Sequence, residues 1–233
     1  MTARRLPRSY RITRSIFHFL FRILTRLEVV GLDNLPHSGA YIFVNNHLHL
    51  LDAPVLFSVL EDRDATGFVG STHQRNWFIR WLLDMLQIIW LHRGEADKAA
   101  LTAALDALKQ GRCLGVAPEG TRSKTGGLQE GKEGVAFLVS RAKVPVYPVA
   151  LINTHNILRE WKRLRRPTVR IVIGQPIDLT AIAVADRTQR LAAWTDEMMC
   201  QIAALLPPEY RGVYADHPRL KELLSLRPAA ATT

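Results

Sequence analysis

The 233 residues of the chain suit one compact domain with a short appendage. Apolar residues make up 48% and charged residues 22%, with 14 Gly and 12 Pro, which excludes collagen-like and wholly disordered proteins. The formal net charge of +10 points to an anionic partner such as a membrane, a nucleic acid or a phosphate-bearing substrate. Two segments carry nearly all of this excess: residues 1–30 have a net charge of +6 and residues 159–170 one of +5.

The two cysteines and the N-terminal sequence bear on the compartment. Cys113 and Cys200 are far apart in the sequence, which predicts neither a disulfide framework nor a metal or redox pair and favours a reducing compartment. The N-terminal apolar run, residues 15–24, is interrupted by His18 and Arg22, so we expect no cleaved signal peptide and no export. No run reaches the roughly 20 apolar residues that a membrane-spanning helix needs.

Residues 11–27 form the first predicted element. Arginines alternate there with large apolar residues, a pattern typical of an amphipathic helix that lies at a bilayer interface and pairs its arginines with anionic headgroups. The alternative is an N-terminal helix packed on the core of the domain. We expect a membrane-associating helix and treat residues 1–28 as a basic, amphipathic membrane-contact segment.

A second apolar run, residues 77–91, contains only three polar residues. Arg80, Asp84 and Gln87 lie at positions i, i+4 and i+7, which places them in one narrow stripe of a helix. The wide face that remains includes tryptophans, which favour interfaces because one end of the ring can stay wet. Membrane contact and core packing both stay open for this face, and residues 88–91 also suit a strand.

Short apolar runs alternate with helical patterns along the rest of the chain. Several of these runs are rich in β-branched residues and bounded by Gly, Pro or Asn, while residues 96–110 and 187–206 place leucines at helical spacing. The alternation predicts an α/β fold, a single domain in which helices flank a mixed, mostly parallel β-sheet. The predicted strands are residues 40–44, 66–69, 88–91, 113–117, 144–151 and 169–173.

A histidine-containing segment follows the first predicted strand. Residues 46–52 are Asn-His-Leu-His-Leu-Leu-Asp, and a carboxylate can orient one imidazole nitrogen so that the other takes a proton from a hydroxyl. On a continuous helix His49 and Asp52 share a face, whereas His47 pairs with Asp52 only if it lies in the turn before the helix. Spacing alone leaves both pairs open, together with a structural role in capping or in the core.

A polar segment ends another predicted strand. Residues 117–123 are Ala-Pro-Glu-Gly-Thr-Arg-Ser, in which Gly120 permits close approach of the backbone and Thr121, Arg122 and Ser123 supply donors suited to a phosphate. A simple polar turn is the alternative. No Walker sequence is present, so nucleotide binding is not predicted.

Together, these segments and their surroundings resemble the glycerolipid acyltransferase family, the 1-acylglycerol-3-phosphate acyltransferases that make phosphatidic acid. The resemblance covers residues 30–179. Two positions depart from the family pattern: His49 stands where a small polar residue is common, and His92 where Asp or another polar residue is frequent. The matching stretches are Asn46, His47 and Asp52; residues 89–93, Ile-Trp-Leu-His-Arg; residues 118–123, Pro-Glu-Gly-Thr-Arg-Ser; and residues 144–148, Val-Pro-Val-Tyr-Pro.

The resemblance implies roles for particular residues. His47 would be the general base on the acceptor hydroxyl, Asp52 would orient it, and Glu119 would organise its loop rather than perform the chemistry. No metal and no bound cofactor are implied. The residues assigned to the acceptor phosphate are Arg93, Glu119, Gly120, Thr121 and Arg122, and those assigned to the acyl donor or to structure are Pro145 and Pro148.

The implied reaction is transfer of a fatty acyl group from acyl-coenzyme A or an acyl carrier protein to the free hydroxyl of a lysophospholipid. The expected acceptor is 1-acylglycerol 3-phosphate; another lysophospholipid, an ornithine lipid or glycerol 3-phosphate are the alternatives. The hydroxyl would attack the thioester directly, since no Ser or Cys occupies a nucleophile elbow.

The expected partners are a membrane surface and its anionic lipids, besides the two substrates. We expect a peripheral protein on the cytoplasmic side of the cell membrane, with an acyltransferase domain at residues 29–227 and a loose tail at residues 228–233. The alternative of another class is a non-catalytic basic protein that binds lipid or nucleic acid. A specific nucleic-acid partner is not expected, because no binding motif is present and the excess charge is confined to two segments.

Overall fold

The computed structural model describes residues 7–60, 63–92, 97–182 and 186–226, and the predicted tail at residues 228–233 lies outside them. Within these ranges, seven strands form one sheet. They are β1 (Arg26–Val30), β2 (Tyr41–Asn45), β3 (Ala65–Gly70), β4 (Ile89–Leu91), β5 (Cys113–Val116), β6 (Val146–Ile152) and β7 (Thr168–Ile173).

The strand order across the sheet is β1-β7-β6-β2-β5-β3-β4. Every neighbouring pair is parallel except β6 with β7. The prediction of a mixed, mostly parallel sheet is therefore confirmed. Because β6, β2 and β5 are adjacent and parallel, their carboxyl ends meet at one edge of the sheet, where ligands of open α/β folds bind.

Helices cover both faces of the sheet. Along β2, Tyr41 and Phe43 point to the layer that contains α1, α2 and α6, and Ile42 and Val44 to the layer that contains α4, α5, α7 and α8. The helices are α1 (Arg8–Leu24), α2 (Asp52–Val59), α3 (Trp77–Met85), α4 (Lys98–Lys109), α5 (Glu133–Ala142), α6 (Ile157–Trp161), α7 (Arg187–Leu205) and α8 (Pro218–Ser225).

Strand β1 was not among the predicted strands, and the predicted N-terminal helix, residues 11–27, extended three residues too far. The helix α1 ends at Leu24, because Thr25 is extended and its hydroxyl donates to the Phe21 carbonyl at 2.5 Å. The next five residues pair with β7 at the edge of the sheet. The exposed positions of this strand carry Arg26 and Glu28. These charged residues obscure the apolar run by which the other strands were predicted from the sequence.

One face of α1 is docked on the domain. Tyr10, Thr13 and Phe21 are buried. The Tyr10 hydroxyl accepts from the Ala65 backbone N–H at 2.9 Å, and the Trp161 indole donates to the Leu24 carbonyl at 2.7 Å. The interpretation of this segment as a helix packed on the core is therefore correct for this face.

The opposite face of α1 is uncovered by the described part of the chain. Its large apolar side chains recur at helical spacing. They are Ile12, Ile16, Phe19 and Ile23, which are 60%, 52%, 62% and 50% exposed.

The apolar run at residues 77–91 divides into a helix and a strand. Asn76 caps α3 by accepting from two backbone N–H groups of its first turn, and the strand alternative for the end of the run is confirmed by β4. Trp77 and Trp81 are 78% and 54% exposed, so the alternative that these two rings pack in the core is wrong. The helix contacts α1 through Met85, whose sulfur lies 3.9 Å from the Thr13 hydroxyl.

Candidate active site

The histidine and carboxylate at the end of β2 form the centre of the site. The α-helix that follows begins at Asp52, which leaves His47 in the preceding turn. Asp52 Oδ2 lies 2.7 Å from His47 Nδ1 and also accepts the backbone N–H groups of Leu48 and His49, at 2.7 and 2.8 Å. Asp52 is buried and orients His47, so the ring of His49 is not its partner; His49 contributes only its backbone.

The tautomer of His47 follows from this contact. A carboxylate at Nδ1 holds the proton on that nitrogen, which leaves Nε2 as the acceptor. The His47 side chain is 30% exposed, so that acceptor can be reached by a substrate. The arrangement is that of a general base and its orienting group.

Asn46 fixes β2 to β6 where the site begins. Its side-chain amide donates to the Leu151 carbonyl at 2.9 Å and its oxygen accepts the Leu151 N–H at 2.7 Å. This buried pair of hydrogen bonds continues the ladder beyond the last paired residue of β2, Asn45. The segments that follow the two strands therefore leave the sheet side by side.

The loop after β5 holds the backbone of His47 on both sides. Glu119 Oε1 accepts the His47 N–H at 2.8 Å, and the Ser123 N–H donates to the His47 carbonyl at 2.7 Å. The other oxygen of Glu119 accepts the Gln129 backbone N–H at 2.9 Å. Glu119 is 1% exposed, and burial raises its pKa above the ordinary value for a glutamate. The buried carboxylate thus joins the loop to the backbone of His47.

Gly120, Thr121 and Arg122 follow on the exposed side of the same loop. Gly120 has a φ of +66°, and a Cβ there would lie 3.2 Å from Lys132 Cδ. The glycine therefore permits both the turn and the close approach of a lysine side chain.

An apolar cavity of about 470 Å³ opens beside His47. It lies on the β5 and β3 side of β2, between α2 and α5, and its size is that of a small-molecule site. Gly134 lines it, and a Cβ on that residue would meet nothing within 4 Å. The other lining residues include Phe43, Leu56, Phe57, Phe68, Leu101, Phe137 and Leu138.

The end of β4 is tied to the start of α4. Asp97 caps α4 by accepting the Ala100 N–H at 2.9 Å, and its other oxygen lies 2.8 Å from the His92 backbone nitrogen and 3.1 Å from His92 Nδ1. The hydrogen bonds from the His92 and Ala100 N–H groups lower the pKa of Asp97 to about 2. Arg93 lies outside the described residues.

Pro145 and Pro148 are not near His47. Pro145 precedes β6 and its carbonyl accepts the Ile42 N–H at 2.9 Å, at the opposite end of β2 from the histidine. Pro148 is buried within β6, and its ring packs on Gly174. Neither proline lines the cavity. Of the two expectations, a contact with the acyl donor or a structural role, the structural role fits both positions.

Two features of the site were missed by the sequence analysis. The hydrogen bond of Glu119 with His47 joins segments 72 residues apart, which no spacing rule reveals. His155, in the turn after β6, was not singled out, although it follows an apolar strand as His47 does.

Two arrangements are absent from the described residues. Their histidine, cysteine and acidic side chains include no group of three or more arranged to hold a metal ion. None of the helices within the described ranges has the length and apolarity to cross a bilayer.

The chain belongs to the acyltransferase family, whose profile matches residues 26–152. This stretch contains His47, Asp52 and the loop at residues 118–123. The expected family resemblance is confirmed.

Individual relatives carry more specific names. The chain is 28% identical to the chloroplastic 1-acyl-sn-glycerol-3-phosphate acyltransferase of Brassica napus, over 72% of this chain and 52% of that protein. It is also 28% identical to the 1-acyl-sn-glycerol-3-phosphate acyltransferase of Pseudomonas aeruginosa, over 77% and 71%. The chain spans about half the length of several such relatives.

The fold is shared with a solved structure. The 1-acyl-sn-glycerophosphate acyltransferase PlsC of Thermotoga maritima superposes with a TM-score of 0.65 at 24% identity, covering 81% of this chain and 75% of that one. At this identity the likeness establishes the α/β fold alone.

Proposed function

We propose that the protein transfers a fatty acyl group from an acyl thioester to the free hydroxyl of a lysophospholipid, with 1-acylglycerol 3-phosphate as acceptor and phosphatidic acid as product. The observation that carries the proposal is the His47–Asp52 pair at the mouth of an apolar cavity. A general base for a hydroxyl and a compartment for an acyl chain are the two elements that this reaction needs. The names of the relatives favour the acceptor.

The mechanism starts with the acceptor hydroxyl at His47 Nε2. As the hydroxyl oxygen attacks the thioester carbonyl, its proton passes to Nε2, and Asp52 stabilises the imidazolium through Nδ1–H. The tetrahedral intermediate then collapses, the carbon–sulfur bond breaks, and the proton on Nε2 passes to the departing thiolate. The products are an ester and a free thiol, and no covalent enzyme intermediate forms.

The backbone contacts of His47 serve this step by fixing the base in position. Its N–H and its carbonyl are both bound to the loop after β5, so the ring pivots little relative to an acceptor held by that loop. Holding the two reacting groups in one geometry is worth on the order of 7 kcal/mol or more in acyl transfer. Thr121 and Arg122 are the described residues of the loop that we assign to the acceptor phosphate.

The uncovered faces of α1 and α3 support the proposal of peripheral membrane contact, and we propose the cytoplasmic side of the cell membrane as the position of the protein. We define the α1–α3 surface as the exposed apolar side chains of the two helices: Ile12, Ile16, Phe19, Ile23, Trp77, Phe78 and Trp81. Aromatic and aliphatic side chains beside arginines are typical of helices that rest in a headgroup layer. A lysophospholipid acceptor resides in the same layer.

The first experiment measures thiol release from acyl-coenzyme A by the full chain in vesicles, with and without lysophosphatidic acid. We expect acceptor-dependent release that falls by at least about a hundredfold in His47→Ala, as for loss of a general base. His49→Ala is the matched control and keeps most of the activity, because His49 contributes its backbone to Asp52. Equal loss in both variants would contradict the assignment of the base.

The acceptor and the donor are tested in the same assay. Lysophosphatidic acid should outcompete other lysophospholipids, ornithine lipid and glycerol 3-phosphate. Release from acyl carrier protein but not from coenzyme A would identify the carrier protein as donor. No release from either donor with any acceptor would favour a non-catalytic lipid-binding protein.

A further inference from the structure

The cationic segment at residues 159–170 lies at the same edge of the sheet as His47. Its net charge of +5 comes from six basic residues and one acidic residue. It contains the end of α6 and the turn at residues 162–167 that leads to β7. Because β6 and β7 are antiparallel, with Ile152 opposite Arg170, this turn lies at the carboxyl end of β6. The parallel strand β2 ends at that edge, and His47 follows it.

The turn after α6 presents a leucine to solvent. Leu164 is 97% exposed, the highest value among the large apolar side chains of the described residues. The residues that flank it are cationic and exposed as well; they are Lys162, Arg163, Arg165 and Arg166. The turn therefore presents one apolar side chain with two cationic residues on either side of it in the sequence.

The backbone of the turn does not favour a leucine at this position. Leu164 has a φ of +55°, in the left-handed region where the Cβ of an L-residue is crowded. The Arg165 N–H donates to the Glu160 carbonyl and the Leu164 N–H to the Trp161 carbonyl, both at 2.9 Å. These two bonds form a Schellman motif, whose left-handed position is usually occupied by glycine and sometimes by asparagine. A leucine there is unfavourable in backbone conformation and gains little from packing, unless another molecule covers it.

The turn is held against the end of α1. The Trp161 indole donates to the Leu24 carbonyl at 2.7 Å. Arg166 donates to the carbonyls of Arg22 and Thr25, at 2.8 and 3.0 Å. The cationic turn is therefore joined to the helix whose uncovered face forms part of the α1–α3 surface.

We propose that residues 162–166 form a second membrane contact, in which Leu164 enters the headgroup layer and the cations beside it bind anionic lipid headgroups. The proposal rests on the peripheral membrane contact of the proposed function and adds a contact at the edge of the sheet that carries His47. Anionic bilayer surfaces attract Lys and Arg side chains, and apolar side chains beside such cations are typical of interfacial segments. An acidic carrier protein also attracts cations, but the attachment of the turn to the uncovered α1 helix favours the bilayer.

The direct test places a polarity-sensitive fluorophore on the turn of the full chain. Cys113 and Cys200 are buried, so a thiol reagent labels the new position in Leu164→Cys. The probe is a vesicle of phosphatidylcholine with phosphatidylglycerol. We expect a blue shift of the emission and quenching by lipids with brominated acyl chains, since the label leaves water. Val213→Cys, at an exposed position between α7 and α8, is the control and should show neither change.

The variant Leu164→Gly separates membrane contact from stability. Glycine suits the left-handed backbone, so the Tm should stay the same or rise. We expect about fivefold weaker binding to the same vesicles in sedimentation, because an apolar side chain is lost from the bilayer contact. Leu164→Asn also suits this backbone and should give a similar loss, whereas Val213→Ser should bind like the wild type.

The double variant Lys162→Gln and Arg165→Gln tests the cations of the turn. We expect at least about tenfold weaker binding to the anionic vesicles at low salt, and unchanged binding to pure phosphatidylcholine. The control with the same loss of charge is Lys109→Gln with Lys221→Gln, at exposed positions of α4 and α8 in the other helical layer. Its binding should stay within about twofold of the wild type.

The outcomes separate this proposal from the proposed function. If acceptor-dependent thiol release persists while the label keeps its emission and Leu164→Gly binds vesicles like Val213→Ser, the second membrane contact is wrong and acyl transfer stands. If thiol release is absent but the label enters the bilayer, the contact stands and acyl transfer is wrong. If the double variant of the turn binds vesicles normally but has a raised KM for acyl carrier protein, the partner is that acidic protein and the proposal is overturned.

Discussion

The edge of the sheet around His47 and the α1–α3 surface differ in how far their side chains are held by contacts within the protein. At the edge, the side chains that hold the base are themselves held: Asp52 binds three groups, and Glu119 binds the backbones of His47 and Gln129. On the α1–α3 surface, the rings of Trp77, Phe78 and Trp81 are more than half exposed and pack edge to edge or tilted against one another.

The difference shows which region is complete within the chain. A site whose base is held by several hydrogen bonds has its geometry before any substrate arrives, which is what preorganised catalysis requires. An apolar surface of this kind is stabilised only when something else covers it, and a bilayer is the partner that we propose. Substitutions that disturb one region and spare the other test this division.

Among changes that leave His47 and Asp52 in place, the largest effect is expected at Glu119. In Glu119→Gln, one side-chain oxygen becomes an amide that cannot accept a backbone N–H, so the side chain can no longer bind both His47 and Gln129 and the position of His47 is loosened. We expect kcat to fall about a hundredfold, the scale of a lost hydrogen bond to a charged group, while the KM of the acceptor changes little. Steady-state kinetics of thiol release measures both values.

Glu130→Gln is the control for this change, because Glu130 is exposed on the same loop. It should leave kcat and KM unchanged. A rise in the acceptor KM without loss of kcat in Glu119→Gln would instead place Glu119 among the phosphate-binding residues.

A smaller effect, on binding rather than on chemistry, is expected from the double variant Trp77→Ser and Trp81→Ser. Removing two exposed rings takes apolar area from the bilayer contact, and we expect at least about tenfold weaker binding to anionic vesicles in sedimentation. The rate on dispersed substrate should stay within about twofold. Leu226→Ser removes an exposed side chain from the other helical layer and should leave vesicle binding as it is; equal losses would contradict the α1–α3 surface.

A several-fold change in acyl preference is expected from Gly134→Leu. Gly134 lines the cavity and a Cβ there meets no protein atom, so we expect the fold to be retained and the cavity to be narrowed. The ratio of rates for long and short acyl donors should fall by about threefold or more, since each buried methylene is worth about 0.8 kcal/mol. Gly134→Ala should give a smaller change in the same direction, and an unchanged ratio in both would place the acyl chain elsewhere.

The smallest effect is expected at Asp97, whose substitution by Ala removes the cap of α4 and the tie to His92. We expect the Tm to fall by a few degrees in thermal unfolding, whereas Asp106→Ala, an exposed residue of the same helix, should leave it unchanged. Because the folded pKa of Asp97 is lowered, its stabilising effect is present above the unfolded value of 3.8 and is lost as the pH falls towards 2. The two proteins should therefore converge in stability in acid.

The sequence predicted the central strands, because their apolar runs are short, β-branched and bounded by turn residues. It also predicted that His47 pairs with Asp52 only from a turn before the helix, and the start of α2 at Asp52 confirms that arrangement. Local spacing was sufficient there, since both residues lie in one six-residue segment.

Features that depend on distant contacts were not predictable in this way. The edge strand β1 presents alternating charges, and its partner β7 lies about 140 residues away in the sequence. Both faces of α1 carry large apolar side chains, so only the position of β3 and α2 reveals which one is buried.

The attachment of α1 has a mechanical consequence. Tyr10 ties its first turn to β3, while Trp161 and Arg166 bind the carbonyls at its last turn, with Arg166 Nη2 2.8 Å from the Arg22 oxygen. A helix fixed at both ends cannot swing like a tether. On a bilayer, this rigidly attached helix would fix the tilt of the whole domain relative to the membrane. It would thereby also keep the His47 imidazole at a constant height above the lipid headgroups.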